Sequence, residues 1–252
     1  MVGADFDRNF IQSASNIKES SSTSAVSNLI GAGVSFGSFS QGGLTNQAVT
    51  LPLSYTFRSQ ADARRQLTIY APISVTTVAG AKSYAVNLGA SYRFPVNNEW
   101  AITPGLGYGI AGSIDLGSAA SMLGASVTNQ YTLRQDGYDL AFGNTVGIYQ
   151  SRKISLGGYS FDPSIKNTVF RNGILLSVPT VVLGQKMAYE LSLINTLYAG
   201  TGLYSRQYNE LGFTLGTNKS ADSTRSYLRG GLSYLQGQNG IRGFKANLGY
   251  WF

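Results

Sequence analysis

From Leu29 to Phe252, apolar and polar residues alternate in twelve successive segments. A period of two places each set on its own face of a strand. The fourth segment is the cleanest, with Tyr84, Val86, Leu88, Ala90, Tyr92 and Phe94 on one face and Asn87, Gly89, Ser91 and Arg93 on the other. The second sets Val49, Leu51, Leu53, Tyr55 and Phe57 against Thr50, Pro52, Ser54, Thr56 and Arg58, and the fifth sets Trp100, Ile102, Leu106, Tyr108 and Ile110 against Thr103, Gly105, Gly107 and Gly109. Weaker segments follow, such as Tyr138, Leu140, Phe142, Val146 and Ile148 in the seventh and Tyr189, Leu191, Leu193 and Leu197 in the ninth. The last runs Phe244, Ala246, Leu248, Tyr250 and Phe252 against Lys245, Asn247 and Gly249. The polar faces are too polar for a sandwich core. One face of every strand therefore meets an apolar medium and the other a polar interior.

Residues 1 to about 28 are different. Charged Asp5, Asp7, Arg8, Lys18 and Glu19 surround sparse apolar residues at Phe6, Phe10, Ile11 and Ile17, a spacing that fits one side of a helix. Fifteen to 20 residues of helix would be about 22 to 30 Å long, enough to run through a barrel. The run Ser20 to Ser24 is poor helix material, so a leader without fixed structure is the other reading. The opening residues have neither a basic start nor an apolar core, so a signal peptide is expected to have been removed before Met1.

The connections fix a direction. Counting back from Phe252, the even-to-odd connections centre on 59–64, 95–99, 134–137, 183–186 and 217–224, all short and rich in turn-forming residues. The odd-to-even connections include the longest stretches, about 150–167, 111–121 and 199–206. Short and long connections thus sort to opposite ends of the predicted strands, and Tyr55, Phe57, Tyr92, Phe94, Trp100, Tyr138, Tyr189, Tyr250 and Phe252 gather at the short-turn end as an aromatic girdle.

Composition narrows the class further. Gly 31 and Tyr 16 stand beside only 12% charged residues, where a soluble domain has about 25%. No stretch approaches the ~18 consecutive apolar residues of a spanning helix, so a membrane role must come from strands. Without cysteine there is neither a disulfide framework nor a thiolate metal site, and no cofactor is expected. His is also absent, which removes the usual base of acid–base catalysis and argues against an enzyme. The net charge of +7 is scattered singly along the chain rather than gathered in aromatic-interleaved basic runs, so nucleic acid is not an expected partner.

An aromatic carboxy-terminal residue after Leu248-Gly249-Tyr250-Trp251 resembles the closing strand of a bacterial outer-membrane β-barrel. With twelve strands and a helix-length leader, the chain resembles an autotransporter translocator domain, either excised or solitary. The resemblance implies an all-β, twelve-stranded antiparallel transmembrane barrel over residues 29–252. It places the helical segment, residues 1–28, in or near the lumen. It implies an outer-membrane location, lipid and the barrel assembly machinery as partners, and Tyr250 and Phe252 as the assembly signal. The implied function is a translocator-like pore occupied by its own leader; a narrow passive channel for small solutes, anions among them, is the alternative. A single copy is expected. Arg58, Arg93, Asp139, Arg171, Glu190, Glu210, Arg229 and Lys245 are the charged residues expected to line the lumen. They either pair and brace the wall or favour anions. Gly105, Gly107 and Gly109 either admit another backbone or ease curvature.

Overall fold

In a computed structural model of the chain, the described residues are 28–41, 43–115, 117–156, 159–161, 164–201, 205–217 and 227–251. The amino-terminal segment read as a helix and the terminal Phe252 lie outside the described residues. Within them the chain forms twelve strands: β1 (Leu29–Gln41), β2 (Leu44–Leu51, resuming as Leu53–Arg58), β3 (Gln66–Tyr70, resuming as Ile73–Val78) and β4 (Ala81–Pro95) come first. They are followed by β5 (Trp100–Ser113), β6 (Ser118–Gln135), β7 (Tyr138–Arg152), β8 (Lys166–Val182), β9 (Gln185–Gly200), β10 (Gln207–Thr217), β11 (Tyr227–Gly237) and β12 (Arg242–Trp251). The breaks in β2 and β3 fall at Pro52 and Pro72, which have no N–H to give to a ladder. Bonds from Ala71 N to Leu53 O (2.9 Å) and from Asn87 N to Pro72 O (3.0 Å) carry the pairing across the gaps.

Each strand pairs antiparallel with its chain neighbours, and β12 pairs with β1 from Gly31 opposite Trp251 to Ser40 opposite Arg242. The sheet is therefore closed, with no unpaired edge for lipid to meet. Following the paired residues once round the circuit returns to β1 displaced by about 14 residues, which sets a strand tilt near ~40° and a backbone radius of about 11–12 Å. At the seam, Ser35 Oγ donates to Asn247 Oδ1 at 2.6 Å. The Phe39 ring lies where the Cβ atoms missing from Gly37 and Gly243 would be.

The two faces divide as the alternation requires. Leu88 is 60% exposed, and Leu106 and Leu232 are 66% exposed, on the outside; on the inside, Thr128, Thr196, Ser233, Arg171 and Glu190 are buried. An outer wall of Leu, Ile, Val, Phe and Tyr around a polar interior is the arrangement suited to hydrocarbon. The interior is not uniformly polar, because Ala141, Leu175 and Ile194 form an inward apolar patch. At the rim that holds both Leu29 and Trp251, here the closing rim, Tyr55 packs on Phe57 and Tyr92 on Phe94, with ring centroids 4.6 and 4.3 Å apart.

The strands run further than the periodicity suggests. Ala111 pairs with Ala120, Gly112 with Ala119 and Ser113 with Ser118, so that connection shrinks to 114–117. Small residues hide the alternation there, yet the ladder continues and Ser113 Oγ donates to Lys82 O at 2.7 Å. At the far rim the turns 42–43 and 79–80 are as short as 136–137 and 183–184 at the closing rim, so the contrast in loop length rests mainly on 153–165. That connection holds a small hairpin of Ile154–Leu156 with Tyr159–Phe161. Ala79 and Gly80 both have positive φ (49° and 89°), as do Leu183 and Gly184 (49° and 77°), the geometry of two-residue hairpin turns. The helical structure among the described residues is one 3-10 turn, Gln238–Gly240.

Candidate functional site

The lumen wall from β8 to β12 carries two tiers of charge. Nearer the closing rim, Glu190 on β9 is 2% exposed; its Oε2 pairs with Arg229 Nη1 from β11 and accepts a hydrogen bond from Thr214 Oγ1 on β10 at 2.9 Å. The pair spans an intervening strand. It can do so because Gly216, directly opposite Arg229, has no side chain: a Cβ there would overlap the arginine stem. Nearer the far rim, Glu210 on β10 accepts from Lys245 Nζ on β12 at 2.7 Å and from Ser233 Oγ on β11 at 2.6 Å. Arg171, 5% exposed on β8, stands within electrostatic reach of that second pair. Beside it Tyr198 and Tyr208 share a hydroxyl hydrogen bond of 2.9 Å.

Charges taken from water need partners to offset desolvation. Both glutamates have an ion pair and a hydroxyl donor, so this wall is braced rather than left open for chemistry. Of the eight charged residues singled out in the sequence, the structure joins Glu190 to Arg229 and Glu210 to Lys245. It sets Arg171 beside the second pair.

Arg58, Arg93 and Asp139 lie elsewhere, at the closing rim. Asp139 is directly opposite Arg134, a basic residue that sequence reasoning passed over because β6 has a weak alternation. Arg58 is 7% exposed. Arg93 Nη1 donates to Arg64 O at 3.1 Å, in the turn 59–65 between β2 and β3. That turn leans over the lumen mouth: Ala63 is 1% exposed, Gln66 Nε2 donates to Ala63 O at 3.1 Å, and Arg64 Nη1 reaches Asn98 Oδ1 in the next turn at 2.6 Å. Asp62 receives Arg64 Nε on Oδ1 at 2.8 Å and Nη2 on Oδ2 at 2.9 Å. This hydrogen-bonded guanidinium holds the Asp62 carboxyl below its ordinary value, and the carboxylate holds Arg64 above its own.

The glycines of β5 are occupied by neighbouring side chains. Tyr70 from β3 lies across Gly89 toward Gly107 and donates from its hydroxyl to Leu106 O at 3.3 Å, while Asn87 fills the space at Gly109. Tyr149 covers Gly124 and Gly147 in the same way. Rings over glycines fill the interior and let the sheet curve. Tyr250 faces outward, opposite Leu228 and Ala32 at the closing rim.

A closed twelve-stranded antiparallel barrel with an apolar exterior and a charged interior defines the transmembrane β-barrel class. No protein-family model and no curated protein matches the chain by sequence. Solved structures do match its fold. The β-domain of the Bordetella autotransporter BrkA superposes with a TM-score of 0.68 at 11% identity, covering 89% of this chain and 98% of that one. The translocator domain of the autotransporter NalP from Neisseria meningitidis gives 0.63 at 13% identity, covering 100% and 96%. An outer membrane channel from Pseudomonas putida F1 gives 0.54 at 13% identity, covering 90% and 95%. At these identities the likeness is one of fold: this chain folds, as the autotransporter β-domain and translocator domain do, into a closed antiparallel barrel.

Proposed function

We propose that the chain is an outer-membrane pore of the autotransporter translocator type, occupied by its own residues 1 to about 28. The observation that carries this reading is the inward apolar patch of Ala141, Leu175 and Ile194. Apolar side chains in a water-filled pore gain nothing, whereas Phe6, Phe10, Ile11 and Ile17 of the leader would pack against them. The point of entry agrees. Asn28 Nδ2 donates to Tyr55 Oη at 3.1 Å and its Oδ1 accepts from Arg58 N at 3.2 Å, which pins the chain at the mouth, and Leu29 is 3% exposed on the inward parity. The bore agrees as well: a radius of about 11–12 Å, less a layer of side chains on each side, leaves roughly the 10–12 Å width of a helix.

On this reading the closing rim is periplasmic, lipid meets the outer wall, and the outward Tyr250 with the terminal Phe252 presents the strand to the assembly machinery. With no histidine in the chain, no enzymatic role is proposed. Deleting residues 1–28 is expected to raise single-channel conductance in a planar bilayer several-fold. An unchanged conductance would sink the plug.

A second reading is a narrow channel for small anions. It is favoured by the inward Arg58, Arg93 and Arg134, which outnumber Asp139 among the strand charges set at the closing rim. Reversal potentials decide it, since cation selectivity contradicts a basic lumen.

A further inference from the structure

One row on the outer wall is not apolar. Asn129 on β6, Asn144 on β7, Asn172 on β8, Asn195 on β9 and Asn209 on β10 stand directly opposite one another in four consecutive strand pairs. All five have the outward parity: Phe170 and Ile174 flank Asn172, and Leu193 and Leu197 flank Asn195, each of these apolar neighbours exposed. Asn144 Nδ2 donates to Asn172 Oδ1 at 2.7 Å and Asn195 Nδ2 to Asn209 Oδ1 at 2.8 Å, while Trp100 Nε1 donates to Asn129 Oδ1. Each amide offers two N–H donors and an acceptor oxygen, so the bonds within the row leave donors pointing outward. In hydrocarbon such donors are costly unless met.

We propose that this row is the contact surface for a second copy of the chain in the plane of the membrane. The inference rests on the outer-membrane reading above. Two observations select the occupant. Neutral amides both donate and accept, so the row is complementary to itself and carries no charge that would draw an ionic partner. Asn172, the seventh of the 17 residues of β8 (Lys166–Val182), lies between the exposed Phe170 and Ile174, inside the apolar band that the outer-membrane reading sets in hydrocarbon. Symmetry then fixes the geometry: two copies inserted in the same sense are related by a twofold axis along the membrane normal.

Because the row climbs at about 40° to the membrane plane, the two rows cross at one point. Asn172 meets its own image there, with Asn144 and Asn195 beside it. Asn129 and its image stand about 15 Å apart at strand spacing, beyond the ~7 Å Cα separation that a disulfide spans. This departs from the single copy expected from sequence, because strand register brings the five asparagines into line and sequence spacing does not show it.

The chain has no cysteine, so single-cysteine variants report cleanly. Asn172→Cys, Asn129→Cys and, on the opposite wall, Leu53→Cys in the full chain are reconstituted in liposomes and oxidised. Asn172→Cys is expected to give a covalent dimer of twice 26.9 kDa, several-fold more abundant than with either other variant. Absence of that dimer overturns the proposal; so does equal cross-linking of all three, which marks random collision, or an Asn172→Cys product of any other mass. Asn172→Leu keeps the wall apolar and is expected to lower the dimer fraction of the detergent-solubilised chain several-fold by sedimentation; an unchanged fraction also overturns it. The mobility difference between boiled and unboiled samples reports folding and insertion separately. A variant that lacks that difference marks a failure of the barrel reading, and one that shows it without cross-linking marks a failure of this inference.

Discussion

The wall from β8 to β12 and the wall from β1 to β5 face the same lumen, yet different forces hold them. In the first, Glu190 on β9 reaches past Gly216 of β10 to Arg229 on β11, and Glu210 on β10 reaches past Ser233 of β11 to Lys245 on β12. In the second, two strands break at prolines, aromatic rings lie over glycines, and Arg93 turns to a turn carbonyl. A polar interior can thus be satisfied by paired charge or by filled volume. The two solutions fail differently, because charge cannot be half removed whereas volume can be exchanged.

The largest effect is expected where a charge loses its partner. Glu190→Leu leaves Arg229 and Thr214 facing an apolar side chain in a buried wall, at a cost of about 3–5 kcal/mol. Glu190→Leu combined with Arg229→Leu removes both charges and is expected to recover most of that loss. Urea unfolding in detergent or bilayer, run on the single and double variants, checks the order. If the double variant is as unstable as the single, the pair is not what braces this wall.

A smaller effect is expected on the other side. Gly89→Val on β4 puts two methyl groups where the Tyr70 ring lies, and overpacking of this kind costs about 1–3 kcal/mol. Adding Tyr70→Ala makes room and is expected to return part of the loss, leaving the cost of the hydroxyl bond to Leu106 O. The same unfolding measurement applies. Equal stability of Gly89→Val and the native chain would mean that the ring has another place to go.

The contrast between the walls was only partly legible in the sequence. The strand count, the facing of Arg229 and Lys245 and the closing role of β12 follow from the period of two, because a closed sheet with one apolar medium outside leaves little choice. The partners did not follow. Whether Glu190 meets Arg229 depends on register across β10, and nothing local in Thr214 or Gly216 announces it. Asn144, Asn172 and Asn195 each interrupt the apolar face of one strand, and only register makes them a row. β5 and β6 were drawn too short because Ala111, Ala119 and Ala120 give a weak apolar signal. Arg134 was missed for the same reason, at the end of a strand whose pattern is faint.

The smallest effect separates the wall from its rim. Asp62 and Arg64 sit in the turn over the mouth, with side chains 21% and 26% exposed. The folded Asp62 carboxyl lies below its ordinary 3.8, mainly through the hydrogen bond from the Arg64 side chain. A carboxyl lowered in this way contributes stability above the unfolded value and loses it as pH falls through the folded value. Solvent screens so open a pair, and such pairs contribute about 0.2–1 kcal/mol. Asp62→Asn is therefore expected to lower the urea midpoint slightly at pH 7, and less in high salt. As pH falls below about 3.8 the native chain gives up the same contribution, and the two midpoints converge. A difference that persists undiminished at low pH would mean that the charge of Asp62 is not what the substitution removes, since asparagine keeps the acceptor oxygen for the bond from Arg64 N. The rim would then resemble the β1–β5 wall, held by shape and backbone contacts instead of paired ions.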